Sequence, residues 1–233
     1  MKLEAVGLGR IFFRNGRGTN FFHAVAATDF VLQPGKLTEI VGRSGSGKTT
    51  FLHMLSGLLM PSEGKVLLDG ADFYALDDSQ RSLLRNQNIG IIPQGQTGLS
   101  GLTVLENVLA PAAMYGDPAS RRSRASELLK LVGISDLADV FANELSGGEV
   151  RRMSIARALI NDPQIVMADE PTGDLDDETT ELVIELLKGY ANQGASVLMV
   201  THEQSALAYA DLIYRMEKGV LQEFGAGERS API

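Results

Sequence analysis

Short apolar runs bounded by turn residues fill the first part of the chain, at residues 2–8, 21–32 and 36–41. Runs of that length predict β-strands, and Arg14-Asn15-Gly16-Arg17-Gly18 between the first two predicts a hairpin loop. Pro34-Gly35 is a turn, after which 37–41 reads as a strand leading directly into glycines. Residues 49–59 are apolar and free of charge, which predicts a helix buried on most sides and ended by Pro61-Ser62-Glu63-Gly64. A hairpin strand at 65–68 with Asp69-Gly70 as its turn follows. From about 77 to 145 the character changes: 102–113, 121–132 and 136–143 carry helical patterns, separated by Gly116-Asp117-Pro118 and Gly133. From Glu149 onward the pattern is helix, strand (165–168), helix (178–189), strand (197–200), helix (204–210). Alternating helices and strands predict a parallel sheet covered by helices, here with a helical insertion. There is no internal repeat, low-complexity tract or long heptad run.

Composition narrows the class. The chain is 44% hydrophobic and 21% charged, ordinary for a globular protein and unlike a disordered one. Its 21 Lys and Arg against 29 Asp and Glu leave a net charge of −8, a balance that argues against nucleic acid as the main partner. There is no cysteine, so disulfide, iron–sulfur and thiolate chemistry are excluded. No stretch reads as a membrane span, and the first ten residues lack the pattern of a signal peptide. The expectation is a cytoplasmic protein.

Gly42-Arg43-Ser44-Gly45-Ser46-Gly47-Lys48-Thr49 fits G-x-x-x-x-G-K-[ST] between a predicted strand and a predicted helix. The glycines let the backbone curl closely round phosphates, so that successive N–H groups point inward. The following helix, which begins with Thr49 and Thr50, offers free N–H groups and a positive dipole end. Lys48 supplies a cation for the β- and γ-phosphates, and Thr49 a hydroxyl ligand for Mg²⁺. A second anionic element is 165–171, in which four apolar residues are followed by Asp169 and Glu170 at the strand's C-terminal end. Neighbouring strand side chains face opposite ways, so both carboxylates serve one site only if the strand stops there, and Pro171 stops it. Asp169 then faces a metal and Glu170 a water. Together the two elements specify a nucleotide triphosphatase.

Ser146 and Glu149 in Leu145-Ser146-Gly147-Gly148-Glu149 form a capping box ahead of a helix, with two glycines in its first turn. This pentapeptide, about twenty residues ahead of the Asp169 strand, resembles the signature loop of ATP-binding cassette (ABC) ATPases, with Glu149 in place of the usual Gln. The other landmarks fall in family order. Gln94 resembles the Q-loop glutamine, which contacts Mg²⁺ and faces the transporter partner. Residues 172–176, with Asp174 and Asp176, look like the D-loop that crosses the dimer interface. His202 resembles the switch histidine that senses γ-phosphate. The aromatic expected to stack on adenine is Phe13, with Phe12 the competing choice. His23 and His53 read as structural. Glu106-Asn107-Val108 with Pro111, and 168–173, are similar to the branch that powers lipoprotein release, macrolide and peptide efflux, and cell division. Asp174 stands where that branch usually has Asn, and Gly90-Ile91-Ile92-Pro93 is less aromatic than its usual run before Gln94.

The resemblance implies one P-loop NTPase cassette over 1–233, with a RecA-like parallel core and an N-terminal antiparallel β subdomain. Residues 1–90 and 150–233 would form these, and 91–149 the Q-loop, helical subdomain and signature loop. It implies ATP and Mg²⁺ as ligands and a head-to-tail dimer in which Ser146, Gly147, Gly148 and Glu149 complete the partner's site. Glu170, His202 and Gln94 would be catalytic, and Thr49, Gln94 and Asp169 would hold the metal. A separate transmembrane permease would then place the chain on the cytoplasmic face of the membrane. The alternative is a mechanotransmitting ATPase of the cell-division type. A P-loop small-molecule kinase would leave 145–149 unexplained. The basic run Arg121, Arg122, Arg124 reads as a solvated helix face, with docking to a partner or lipid headgroups as its rival.

Overall fold

The computed structural model describes residues 1–13, 21–95, 97–173, 175–202 and 205–224, with only the backbone at Ser205 and Ala206; the expected loop at 14–18 and Asp174 lie outside these. Two sheets organise the chain. Strands β1 (Leu3–Phe13), β2 (Phe21–Leu32), β4 (Glu63–Leu68) and β5 (Ala71–Asp72) form an antiparallel sheet in the order β2-β1-β4-β5. Strands β3 (Leu37–Val41), β6 (Ile89–Ile92), β7 (Ile165–Asp169), β8 (Ser196–Thr201), β9 (Leu212–Glu217) and β10 (Val220–Glu223) form the other, in the order β10-β9-β3-β8-β7-β6. It is parallel from β9 through β6, and β10 closes its edge antiparallel to β9.

Strand alternation sorts the core onto two faces of this sheet. Ile40, Met167, Leu198 and Val200 point one way, to Phe51 and Leu52 of helix α1 (Lys48–Leu55) and to Leu3, Leu8 and Phe30 of the antiparallel sheet. Leu37, Val166, Val197 and Met199 point the other way, to α3 (Val104–Tyr115), α4 (Arg122–Leu131), α5 (Gly147–Leu159) and α6 (Asp177–Asn192). Each fully buried Leu or Phe contributes about 1.5–3 kcal/mol, so α1 is held between two sheets by Phe51, Leu52, Met54 and Leu55.

Several elements differ from expectation. α1 stops at Leu55, because Gly57 takes a φ of +74° and Leu58 N–H turns back to His53 O at 2.9 Å. The sequence pattern missed α2 (Asp78–Asn88), which buries no residue and so carries no apolar stripe to read; a capping box of Asp77 and Gln80 starts it. The helix expected over 136–143 is instead two 3₁₀ turns, Ser135–Leu137 and Ala142–Glu144. Its carbonyls are used elsewhere: Val104 N–H donates to Val140 O and Leu105 N–H to Ala138 O, both at 2.9 Å, serving the first turn of α3. The helix expected over 204–210 is, where described, a single 3₁₀ turn at Ser205–Ala208. Of the basic run, Arg122 is exposed, whereas Arg121 and Arg124 are paired within the chain. Arg121 Nη1 lies 2.6 Å and Arg124 Nε 2.9 Å from the carboxylate of Asp162, and Arg124 also bonds the Tyr190 hydroxyl, tying the start of α4 to the turn after α5. Among the described residues no helix is long and apolar enough to cross a membrane.

Candidate nucleotide site

The turn between β3 and α1 is shaped from outside itself. A Cβ on Gly47 (φ +110°) would lie 2.3 Å from Ala24 O of β2, and one on Gly42 would lie 2.3 Å from Met216 O of β9. Only glycine fits between these backbones. Gly219 N–H, in the turn between β9 and β10, donates to Ser46 O at 2.9 Å, so the C-terminal hairpin buttresses the loop. α1 has Gly47 at its N-cap and no side-chain cap, which leaves its first N–H groups to a ligand. Lys48 arches back over the loop, its ammonium donating to Gly42 O at 2.6 Å and Arg43 O at 3.3 Å. Burial pushes its pKa below the usual lysine value, while Glu170 and Asp169 pull it up.

The loop forms one wall of a cleft of about 870 Å³, lined by Arg43–Thr50, Phe12, Phe22–Ala24, Gln94, Glu170, His202, Lys218 and Gly219. Asp169, the last residue of β7, is buried beneath it, accepting a hydrogen bond from Thr49 Oγ1 at 3.2 Å; its Oδ2 has no hydrogen-bond partner among the described residues. Burial raises the Asp169 pKa, and the Thr49 hydroxyl partly offsets this. An adjacent cation would favour the ionised form. Glu170 takes a left-handed φ of 49°, which costs about 1–3 kcal/mol and turns it off the strand line. Its Oε2 meets His202 Nδ1 at 2.7 Å, and that imidazole is 66% exposed in the cleft.

At the aromatic end the two candidate rings are placed differently. Phe13 is 81% exposed and does not line the cleft, whereas Phe12 does, tilted against Phe22 with ring centres 5.8 Å apart. Neighbours on a strand face opposite sides, so only one of the two could. Ser146 caps α5: Ser146 N–H donates to Glu149 Oε2 at 2.7 Å, and Ser146 Oγ accepts from Glu149 N–H at 3.4 Å. The Ser146 hydroxyl, which also donates to Glu149 Oε2 at 2.7 Å, and then the Ser146 N–H hold the Glu149 carboxyl below its ordinary pKa. Neither Ser146, Gly147, Gly148 nor Glu149 lines the cleft. Asp176 caps α6 through Thr179 N–H at 2.8 Å. Sequence reasoning missed Phe22 and the β9–β10 turn, for which Lys218-Gly219 was the available signal.

A phosphate loop at the carboxyl end of a parallel sheet, facing an apolar strand that ends in two carboxylates, defines a P-loop nucleoside triphosphatase. Residues 25–173 match the family model described as ABC transporter. The chain belongs to that ABC transporter family, and it is an ATP-binding ATPase cassette. It is 40% identical over 200 residues to an uncharacterized ABC transporter ATP-binding protein of Thermotoga maritima, covering 85% of this chain and 86% of that one. It is 44% identical over 196 residues to the lipoprotein-releasing system ATP-binding protein LolD of Shewanella sp. strain MR-4, covering 83% and 85%. Among solved structures, the dimeric bacterial ABC transporter cassette MJ0796 superposes with a TM-score of 0.88 at 32% identity, covering 95% of this chain and 97% of that one. The same cassette is known bound to ADP and Pi in a dimeric post-hydrolysis state.

Proposed function

We propose that this chain is the ATP-hydrolysing subunit of a lipoprotein-release or efflux transporter, working as a head-to-tail pair on a separate transmembrane permease at the cytoplasmic face. The single observation that carries the hydrolytic reading is Glu170, turned by its left-handed backbone into the cleft that holds the phosphate loop. The names of relatives such as LolD of Shewanella favour transport over the cell-division alternative.

In this reading the adenine stacks on Phe12, the N–H groups of residues 42–50 cradle the phosphates, and Lys48 leaves its carbonyl partners for the β- and γ-phosphates. Glu170 takes a proton from a water as that water's oxygen attacks γ-phosphorus, and the bond to the bridging oxygen of ADP breaks. His202 steadies Glu170 through Nδ1, and as the imidazolium it would also donate through Nε2 to the γ-phosphate. Thr49, Asp169 and Gln94 form the oxygen donor set for Mg²⁺, and the unpartnered Oδ2 of Asp169 suits a hard cation. When bound, Mg²⁺ neutralises phosphate charge. Ser146, Gly147, Gly148 and Glu149 would meet the partner's γ-phosphate, with Asp174 and Asp176 on the segment crossing between subunits. The division into 1–90 with 150–233 and 91–149 is part of the same proposal. Glu170→Gln should bind ATP and pair normally while kcat falls roughly 10²–10⁴-fold; undiminished turnover overturns the assignment.

A further inference from the structure

Among the described residues, four non-glycines hold a positive φ: Asp69, Asp162, Glu170 and Lys218. Aspartate tolerates this region, and both aspartate side chains have partners from distant segments, Asp69 in Lys2 N–H at 2.7 Å and Asp162 in Arg121 at 2.6 Å. Glu170 and Lys218 lack that chemistry, and both line the nucleotide cleft. At Lys218 the positive φ belongs to the two-residue turn Lys218-Gly219 that joins β9 to β10, and that turn sets the residue at the edge of the cleft.

The position of Lys218 is rigidly set. Its neighbour Gly219 donates to Ser46 O at 2.9 Å and accepts from Ala26 N–H at 2.8 Å, and a Cβ there would lie 2.9 Å from Ala24 O. Sheet order then says which part of the nucleotide Lys218 can reach. Across the order β9-β3-β8-β7, Lys218 follows β9, the phosphate loop follows β3, His202 follows β8 and Glu170 follows β7. At about 4.8 Å per strand, Lys218 and Glu170 flank the loop from opposite sides, roughly 14 Å apart. Phe12, Phe22, His23 and Ala24 belong to the hairpin against which Gly219 packs. Lys218 makes no ion pair with any described residue, although Glu217 precedes it. An ammonium has three donors and no acceptor, so it suits the acceptor nitrogens and oxygens of a base and ribose.

Building on the nucleotide-site reading above, we propose that Lys218 is a further nucleotide-contacting residue, binding the base-and-ribose end of ATP from the C-terminal hairpin. The test measures equilibrium binding of ATP and of inorganic tripolyphosphate, ATPase kinetics and Tm for the wild type, Lys218→Gly and Lys218→Arg. Glycine relaxes the backbone while removing the cation, so Tm should be unchanged or higher while Kd and KM for ATP rise roughly three- to tenfold. Tripolyphosphate affinity should be unchanged, kcat should stay within about twofold, and arginine should restore ATP affinity. Unchanged ATP affinity in Lys218→Gly overturns the proposal, as does a lower Tm or an equal loss for ATP and tripolyphosphate. Failure of the wild type to bind ATP at all would instead overturn the nucleotide-site reading itself.

Discussion

Two helices begin with glycine-rich turns that the sequence marks as phosphate binders, and their N-termini are finished in opposite ways. α1 starts from Gly47 with no side-chain cap, and its acidic first-turn positions are empty. α5 starts from Ser146 with a complete capping box and Glu149 in its first turn. An uncapped N-terminus forgoes about 1 kcal/mol, which is sensible where a phosphate will accept from the free N–H groups. The α5 end is already satisfied by its own chain, leaving mainly the Gly147 and Gly148 N–H groups for a visitor. In the proposed dimer the first end would bind alone and the second would assist the partner's site.

That contrast can be broken at either helix. Lys48→Ala should weaken ATP binding by at least roughly 30-fold in a filter or fluorescence titration, since it removes the cation of the open end. Gly47→Ala comes next: with φ at +110° and Ala24 O at 2.3 Å, it should cost about 2 kcal/mol or more in denaturant unfolding and weaken nucleotide binding with it. Ser146→Ala should lose about 1 kcal/mol of stability and depress ATPase activity, yet leave ATP binding by the single chain unchanged. Weakened binding in that variant would show that the two ends do not divide the work as described. Glu149→Gln should be smallest, within a few tenths of a kcal/mol near neutral pH. The folded-state pKa of Glu149 is depressed from 4.5, so its contribution is present above that value and fades as pH falls through the folded pKa. The Gln variant should lose that acid-side dependence in urea unfolding at stepped pH.

The chemistry-bearing segments were legible because each joins a local pattern to a strict geometric demand. The loop at 42–49 sits between a strand and a helix, the buried strand 165–168 ends in Asp169 and Glu170, and Ser146 caps through Glu149. What escaped notice depends on distant partners. β9 and β10 break up their apolar residues irregularly, with Tyr214 next to Arg215 and Gln222 next to Glu223, so their periodicity is weak. α2 has no fully buried residue and packs only Leu84 against the core, and 136–143 gives up its helix because its carbonyls are taken by α3. Choosing Phe12 over Phe13 requires the pairing register of β1 with β2, Phe12 opposite Phe22, which no local pattern supplies.

The hairpin against which Gly42 and Gly47 pack also imposes an order in time. The phosphate loop leaves the ribosome early, whereas Met216 and Gly219 are added roughly 170 residues later. At about 5–20 residues per second, the loop waits roughly ten to thirty seconds for its outer wall. A growing chain therefore holds every phosphate-loop residue long before β9 and β10 supply the wall against which that loop packs.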